Sequence, residues 1–279
     1  MKIDKLQMNR RSLLKAAAAM GATSTLSLAG CSDNKAEFTL PELKGAIGKD
    51  GERVQPWQNW SGNQACEHNE LLVPKNTDDI ISMVQSTKQH IRLVGSGHSF
   101  SGLVPTSESL MSLAYFSGLS NIDTQTKQFD VAANTVLAAA GEELWQSGLS
   151  LKNMPDINTQ TFAGAIATST HGTGMNYGSM SSDVTQLSLV NGLGEEITCS
   201  KNENTELFNA ARTNIGSLGV ITNIRMQAQE KYYLKETTWM MDLEEGLANA
   251  ERLRDKHRNF EMYALPHADY ILAIALDEV

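Results

Sequence analysis

The sequence predicts a mixed α+β chain in which short strands dominate. Three observations predict it. Short apolar runs bounded by turn residues recur along the chain, as at 91–94 and 220–226. A few segments between them place apolar residues three and four positions apart, the helical spacing. Two glycine-rich stretches, 95–101 and 164–174, then interrupt the pattern where backbone must turn tightly.

The elements follow in order. Residues 70–73 read as a strand that Pro74 ends. Asn76 or Thr77 then caps a helix whose first turn carries Asp78 and Asp79, favourable to its dipole. That helix leads into a strand at 91–94 and the first glycine-rich loop. Residues 131–139 predict another strand and 142–146 a short helix. Residues 188–190 and 196–199 read as two strands around the turn 191–194. Residues 203–212 predict a short helix with Leu207, Phe208 and Ala211 on one face, followed by the turn Gly216-Ser217-Leu218-Gly219 and an alternating strand at 220–226. From about Tyr232 the pattern changes: strand at 239–242, helix at 243–254 with Leu247, Ala250 and Leu253 in phase, strand at 260–265. The apolar run 270–276 reads as an uncovered strand, and hence as an aggregation-prone edge.

Composition bounds the class. The chain has 279 residues, is 41% hydrophobic and carries a net charge of −9, enough for one or two domains with a real core. An acidic balance argues against nucleic acid as a partner, since phosphate repels it. No Cys-x-x-Cys pair or basic stripe is present, so no metal site is expected. Cys66 and Cys199 show no reason to pair.

The first thirty residues read separately. Asn9-Arg10-Arg11-Ser12-Leu13-Leu14-Lys15 looks like a twin-arginine export signal, and the stretch after it is too weak and short to span a membrane well. Leu28-Ala29-Gly30-Cys31 resembles a bacterial lipobox, which makes Cys31 a lipidation site and Ser32 a weak outer-membrane sorting signal. The alternative is an ordinary cleaved signal with an incidental cysteine. The expected location is the bacterial cell envelope, lipid-anchored to the membrane and facing the periplasm or the outside. Domain organisation then reads as signal (1–30), polar tether and lead-in (31–59), ligand-binding domain (60–231) and the start of a second α+β domain (232–279).

The chemistry sits in the glycine-rich stretches. In Gly95-Ser96-Gly97-His98-Ser99-Phe100-Ser101, two glycines within three residues let backbone lie against a ligand, and successive N–H groups can form a nest for a phosphate. A nicotinamide fingerprint would need a third glycine where Phe100 stands and a helix where Pro105 follows. A serine nucleophile elbow is missed only at Ser101, but it too must run into a helix. A plain surface turn is the bland reading. Gly164-Ala165-Ile166-Ala167-Thr168-Ser169-Thr170-His171-Gly172-Thr173-Gly174 adds small residues and four hydroxyls able to donate to phosphate or ribose oxygens. Two such segments predict a long, diphosphate-bearing ligand clasped from two sides, with His171 either a ligand contact or a brace.

The segments IRLVGSGHSFS, FAGAIATSTHGTG and ELFNAARTNIGSLGVITNI together resemble the PCMH-type FAD domain of the vanillyl-alcohol oxidase superfamily. Within it they are most similar to the sugar-1,4-lactone oxidase and alditol oxidase branch. The resemblance covers roughly residues 60–270. It implies a two-part FAD-binding domain followed by the beginning of a truncated substrate cap domain. It also implies that Gly95 to Ser101 wraps the FAD pyrophosphate and that Gly164 to Gly174 forms a second wall. Gly219, Val220 and Ile221 would lie against adenosine and flavin. His98 matches the residue bonded to the flavin 8α-methyl in many relatives. The implied reaction is hydride transfer from a hydroxyl-bearing carbon of a sugar lactone or polyol to flavin N5, with O2 or a respiratory carrier accepting the electrons. No catalytic base is identified, because the family's substrate-side residues lie beyond this stretch. A flavin-binding pseudoenzyme or electron-relay protein is the alternative from another class.

Overall fold

The computed structural model describes residues 56–279 and, before them, only the backbone pair Ala46–Ile47 with Arg53–Val54. The export and lipobox motifs, Cys31 included, lie outside the described residues. The described chain divides into two compact units, 43–172 with 177–231, and 173–176 with 232–279.

The larger unit is built on a three-stranded and a five-stranded sheet, with three two-stranded pairs beside them. Strands Glu70–Leu72, Ser109–Ser112 and Ile91–Val94 form a parallel sheet with Ser109–Ser112 in the middle. Parallel neighbours need a crossover. Helix α1 (Thr77–Ser86) carries the chain from Glu70–Leu72 to Ile91–Val94, the two outer strands, before the chain returns to Ser109–Ser112 between them; Asn76 caps the helix, its side chain accepting from the Asp79 N–H. The second sheet is antiparallel, in the order Glu196–Ser200, Val184–Val190, Val220–Gln227, Gln128–Ala132, Leu119–Asp123. Along Val220–Gln227, Ile224 and Met226 alternate with half-buried residues; a register shift opposite Ser188 and Leu189 lets Ile221 join them in the main core, while Val220 faces a smaller one. Phe129, Val131, Leu187, Leu189 and Ile224 pack with helices α2 (Leu137–Gln146), α3 (Phe162–Ala167) and α4 (Thr205–Ala211) into the main core.

In the larger unit two elements differ from the sequence reading. The strand expected over 131–139 stops at Ala132, and α2 already begins at Leu137. Leu137, Ala140 and Leu144 recur at helical spacing and are buried, which outweighs the local β pattern. The second difference is α3, discussed below. Cys66 and Cys199 are both free thiols, and burial pushes the Cys199 thiol up.

The smaller unit is a three-stranded antiparallel sheet, ordered Leu234–Asp242, Tyr270–Glu278, Asn259–Ala264, with helix α5 (Leu243–Lys256) against it. Asp242 caps α5 by accepting from the N–H groups of Glu244 and Glu245. The run expected to be an exposed edge is instead the central strand: Tyr270–Glu278 is hydrogen-bonded on both sides. Ile271, Ala273 and Ala275 are buried on its covered face. Leu247, expected to point inward on α5, is exposed, and Gly246 and Leu253 make the buried side. A Cβ on Gly246 would overlap Ile271 Cδ1, so the helix sits as close as a glycine permits.

One ion pair joins strands across the antiparallel sheet. Arg225 stands opposite Asp130 and donates twice to it, Nε to Oδ1 at 2.6 Å and Nη2 to Oδ2 at 2.8 Å. Asn121 donates a third bond to Asp130 Oδ2. The Arg225 guanidinium holds the Asp130 carboxyl below its usual range. A lowered folded-state pKa means stability that is present above the unfolded value, about 3.9, and lost as pH falls through the folded one. Arg225→Ala should therefore cost about 2 kcal/mol at neutral pH, from a buried carboxylate left short of its charged partner. The deficit should stay constant down to about pH 5 and shrink below about pH 4. Urea denaturation of both proteins across this range measures it, and a deficit that grows on acidification would contradict the assignment.

Candidate functional site

The first glycine-rich loop leaves the carboxyl end of parallel strand Ile91–Val94, the end at which sheets of this kind hold ligands. A hairpin of short strands, Trp57–Gln58 and Ala65–Cys66, clamps it. The Trp60 N–H donates to Gly97 O at 2.9 Å and Asn59 Nδ2 to Ser99 O at 3.0 Å. Asn63 Nδ2 and Gln64 Nε2 both donate to Phe100 O. Trp60 also stacks on His98, with ring centroids 5.4 Å apart, and meets Phe100 edge-on. His98 Nε2 lies 2.6 Å from Thr159 Oγ1, so the imidazole is held by a hydroxyl at one nitrogen and an indole on its face. None of Asn59, Trp60 and Thr159 stands out in the sequence. Only their distance from the loop in space brings them in, and no periodicity encodes that.

The two glycines of the loop do different jobs. Gly97 has φ +69°, which favours glycine, but a Cβ there would face Trp57, Asn59 and Trp60 at ordinary contact distances. Its constraint is conformational and comes from the hairpin side. A Cβ on Gly95, by contrast, would overlap Thr161 Oγ1. Gly95 is where the first segment meets the second.

The second segment is not a simple loop. Phe162, Ala165 and Ile166 recur at three and four positions and are buried, so 162–167 forms helix α3. Its opposite face carries Ala163, Gly164 and Ala167, and these small residues line a cavity of about 610 Å³. The whole of Gly95–Ser101 lines the same cavity, as do Thr168, Thr170, Gly219 and Ile221. Of the other residues singled out, Ala165 lies in the main core and Val220 in a smaller one. Ser169, His171 and Gly172 lie outside the cavity lining. His171 is exposed, with Nδ1 against Gly172 O at 2.9 Å. Gly174 belongs to the smaller compact unit.

The hydroxyls are not all free to donate, contrary to expectation. Thr168 donates to Gly164 O at 3.0 Å and Thr170 to Gln160 Oε1 at 2.9 Å. Toward the cavity these two oxygens therefore offer acceptor lone pairs; donors for an anion are the backbone N–H groups of the loop and side chains that line the same space, Arg92, Ser96, Ser99 and Asn134. Apolar residues Trp60, Phe100, Leu103, Val104, Ile157 and Ile215 complete the wall. Mostly apolar lining with convergent backbone polar groups, in a volume within about 300–1,000 Å³, is the make-up of a cofactor site. The site thus fits a ligand with a diphosphate and flat rings. Among the described residues no group of His, Cys, Asp and Glu could hold a metal ion.

Comparison with known proteins agrees with this geometry. Residues 70–200 match a family described as an FAD binding domain. The chain is 29% identical over 224 residues to L-gulonolactone oxidase of Bos taurus, covering 79% of this chain and 51% of that protein. It is 30% identical over 219 residues to L-gulono-1,4-lactone dehydrogenase of Mycobacterium tuberculosis, covering 77% and 50%. D-arabinono-1,4-lactone oxidase of Candida albicans is 30% identical over 211 residues, covering 70% and 38%. Among solved structures, cholesterol oxidase from Brevibacterium sterolicum superposes with TM-score 0.71 at 19% identity, over 80% of this chain and 47% of that one. At that identity the likeness concerns the fold. The chain spans about half the length of the curated relatives it matches.

The Gly95–Thr161 contact yields a prediction. Gly95→Ala should destabilise the protein by about 1–3 kcal/mol, the usual cost of forcing atoms into a packed site. Thr161→Ala in the same chain should recover most of that, because it removes the overlapping oxygen. Thermal melts of the two single variants and the double variant measure it; additive losses would show that the two residues do not collide.

Proposed function

The chain belongs to the FAD-binding flavoproteins of the PCMH or vanillyl-alcohol-oxidase type and is homologous to sugar-1,4-lactone oxidases and dehydrogenases; from that premise we propose that it is the cofactor-holding part of an FAD-dependent oxidoreductase acting on a hydroxyl-bearing carbon of a sugar lactone or polyol. The observation that carries the proposal is the convergence of Gly95–Ser101 and the small face of α3 on one cavity, far apart in sequence but brought together where Gly95 meets Thr161, the residue before α3. FAD, when bound, supplies the acceptor for hydride and the route by which electrons leave.

The residues of this chain have the following proposed roles. Backbone N–H groups of Gly95 to Ser101 face the diphosphate. Gly164 and Ala167 keep α3 clear of the ligand, with Thr168 and Thr170 offering acceptor oxygens beside it. Gly219 lines the cavity, and its lack of a Cβ lets the turn before strand Val220–Gln227 pack on the neighbouring strand, where a Cβ would overlap Val190 O. His98, with Nε2 engaged by Thr159, has Nδ1 as its remaining nitrogen for a covalent bond to the flavin. Neither His98 nor His171 is assigned as the base that takes the substrate proton. The smaller unit is proposed as the opening of a substrate-binding domain. Envelope export with a lipid on Cys31 rests on residues 9–31 alone; loss of palmitate incorporation in Cys31→Ser tests it.

Purified protein should carry flavin and show its visible absorbance. Acid-denatured protein should retain flavin fluorescence, and His98→Ala should release the flavin on denaturation while the folded protein still binds it. Flavin freed from the wild-type protein by acid would remove the covalent bond and leave the FAD site standing. A colourless protein that takes up no added FAD would overturn the proposal itself.

A further inference from the structure

Ile215 has φ +48°, in the left-handed region. For a β-branched residue this is a genuine outlier, because the branched Cβ crowds the backbone. Its surroundings hold it there. The Ile215 N–H donates to Ala167 O at 3.0 Å, tying it to the end of α3. Asn214, buried, donates through Nδ2 to Ala211 O, and its Oδ1 accepts from the Gly216 N–H at 2.6 Å. Asn214 O accepts from both the N–H and the hydroxyl of Ser217. These bonds lock the turn on either side of Ile215. Yet the side chain so fixed gains little from the fold: it is 52% exposed and lines the cavity. Glycine or asparagine would take this conformation at less cost, so nothing in the folded chain alone rewards isoleucine here.

We infer that Ile215 is a strained contact residue of the cavity, held in a left-handed turn so that its apolar side chain packs on a flat ring of the bound cofactor. Strain of this kind persists where the surrounding structure over-determines it, and it clusters at ligand clamps. The ligand, not the protein core, completes the burial of the side chain. The inference rests on the FAD site proposed above.

The test uses the His98→Ala chain, so that flavin can be removed and titrated back. In that background Ile215→Asn should raise the melting temperature of the flavin-free protein by about 3 °C, through relief of the left-handed strain. The same variant should bind FAD about tenfold more weakly, from loss of roughly half an isoleucine's burial. Ile215→Leu, apolar but still strained, should keep near-normal affinity. Riboflavin and ADP titrated separately assign the lost contact to one ring or the other. Equal FAD affinity of Ile215→Asn and its parent would overturn the contact, and a lower melting temperature would overturn the strain. If neither the wild-type chain nor the parent binds FAD, the site itself is wrong, an outcome distinct from either.

Discussion

The approach of Gly95 to Thr161 is the constraint on which the rest of the site depends. Thr161 is buried and fixed from its other side: it bridges Val136, while Leu137 N–H donates to Gln160 O and Phe162 N–H to Thr135 O. The start of α3 is therefore welded to the start of α2 and, through Ala133, to the antiparallel sheet. Gly95 closes onto that anchor from the parallel sheet. Two sheets of different type meet at this contact and in the smaller core of Leu72, Met111, Val190 and Val220, and the cavity opens beside Gly95. Any side chain at Gly95 would part this contact before it touched a ligand.

Around this contact the two walls are built on different principles. The loop wall is held from outside, by side-chain amides of Asn59, Asn63 and Gln64 that satisfy its carbonyls. With those oxygens engaged away from the cavity, the N–H groups of the loop are the part left for an anion. The α3 wall is held from inside, by Phe162, Ala165 and Ile166 in the core. It contributes smoothness rather than donors, since its nearest hydroxyls spend their protons on Gly164 O and Gln160.

What was legible in the sequence follows the range of the interactions. Local rules found the cap at Asn76 and the strands at 91–94 and 220–226, because capping, turn chemistry and period-two burial act over a few residues. They also drew attention to both glycine-rich segments. They failed where helical spacing hid inside small residues, as in α3, and where alanines after Val131 resembled a continuing strand. The stacking of Trp60 on His98, the hydroxyl of Thr159 and the strain at Ile215 depend on contacts or dihedrals that no local pattern specifies. The pairing of 270–278 was misjudged for a related reason: hydropathy marks a strand but not its neighbours.

That central position has a consequence for how the smaller unit comes into being. Leu234–Asp242 and Asn259–Ala264 are not hydrogen-bonded to each other; each finds its register only on Tyr270–Glu278. During synthesis Leu234–Asp242 and Asn259–Ala264 therefore stay unpaired until residues 270–278 have left the ribosome. The hairpin of Asn259–Ala264 with Tyr270–Glu278 is the local pairing available first, and Leu234–Asp242 then adds to its other edge at a larger loop-closure cost. Until then α5 can form only as an isolated helix, capped at Asp242 but with no surface to receive Gly246.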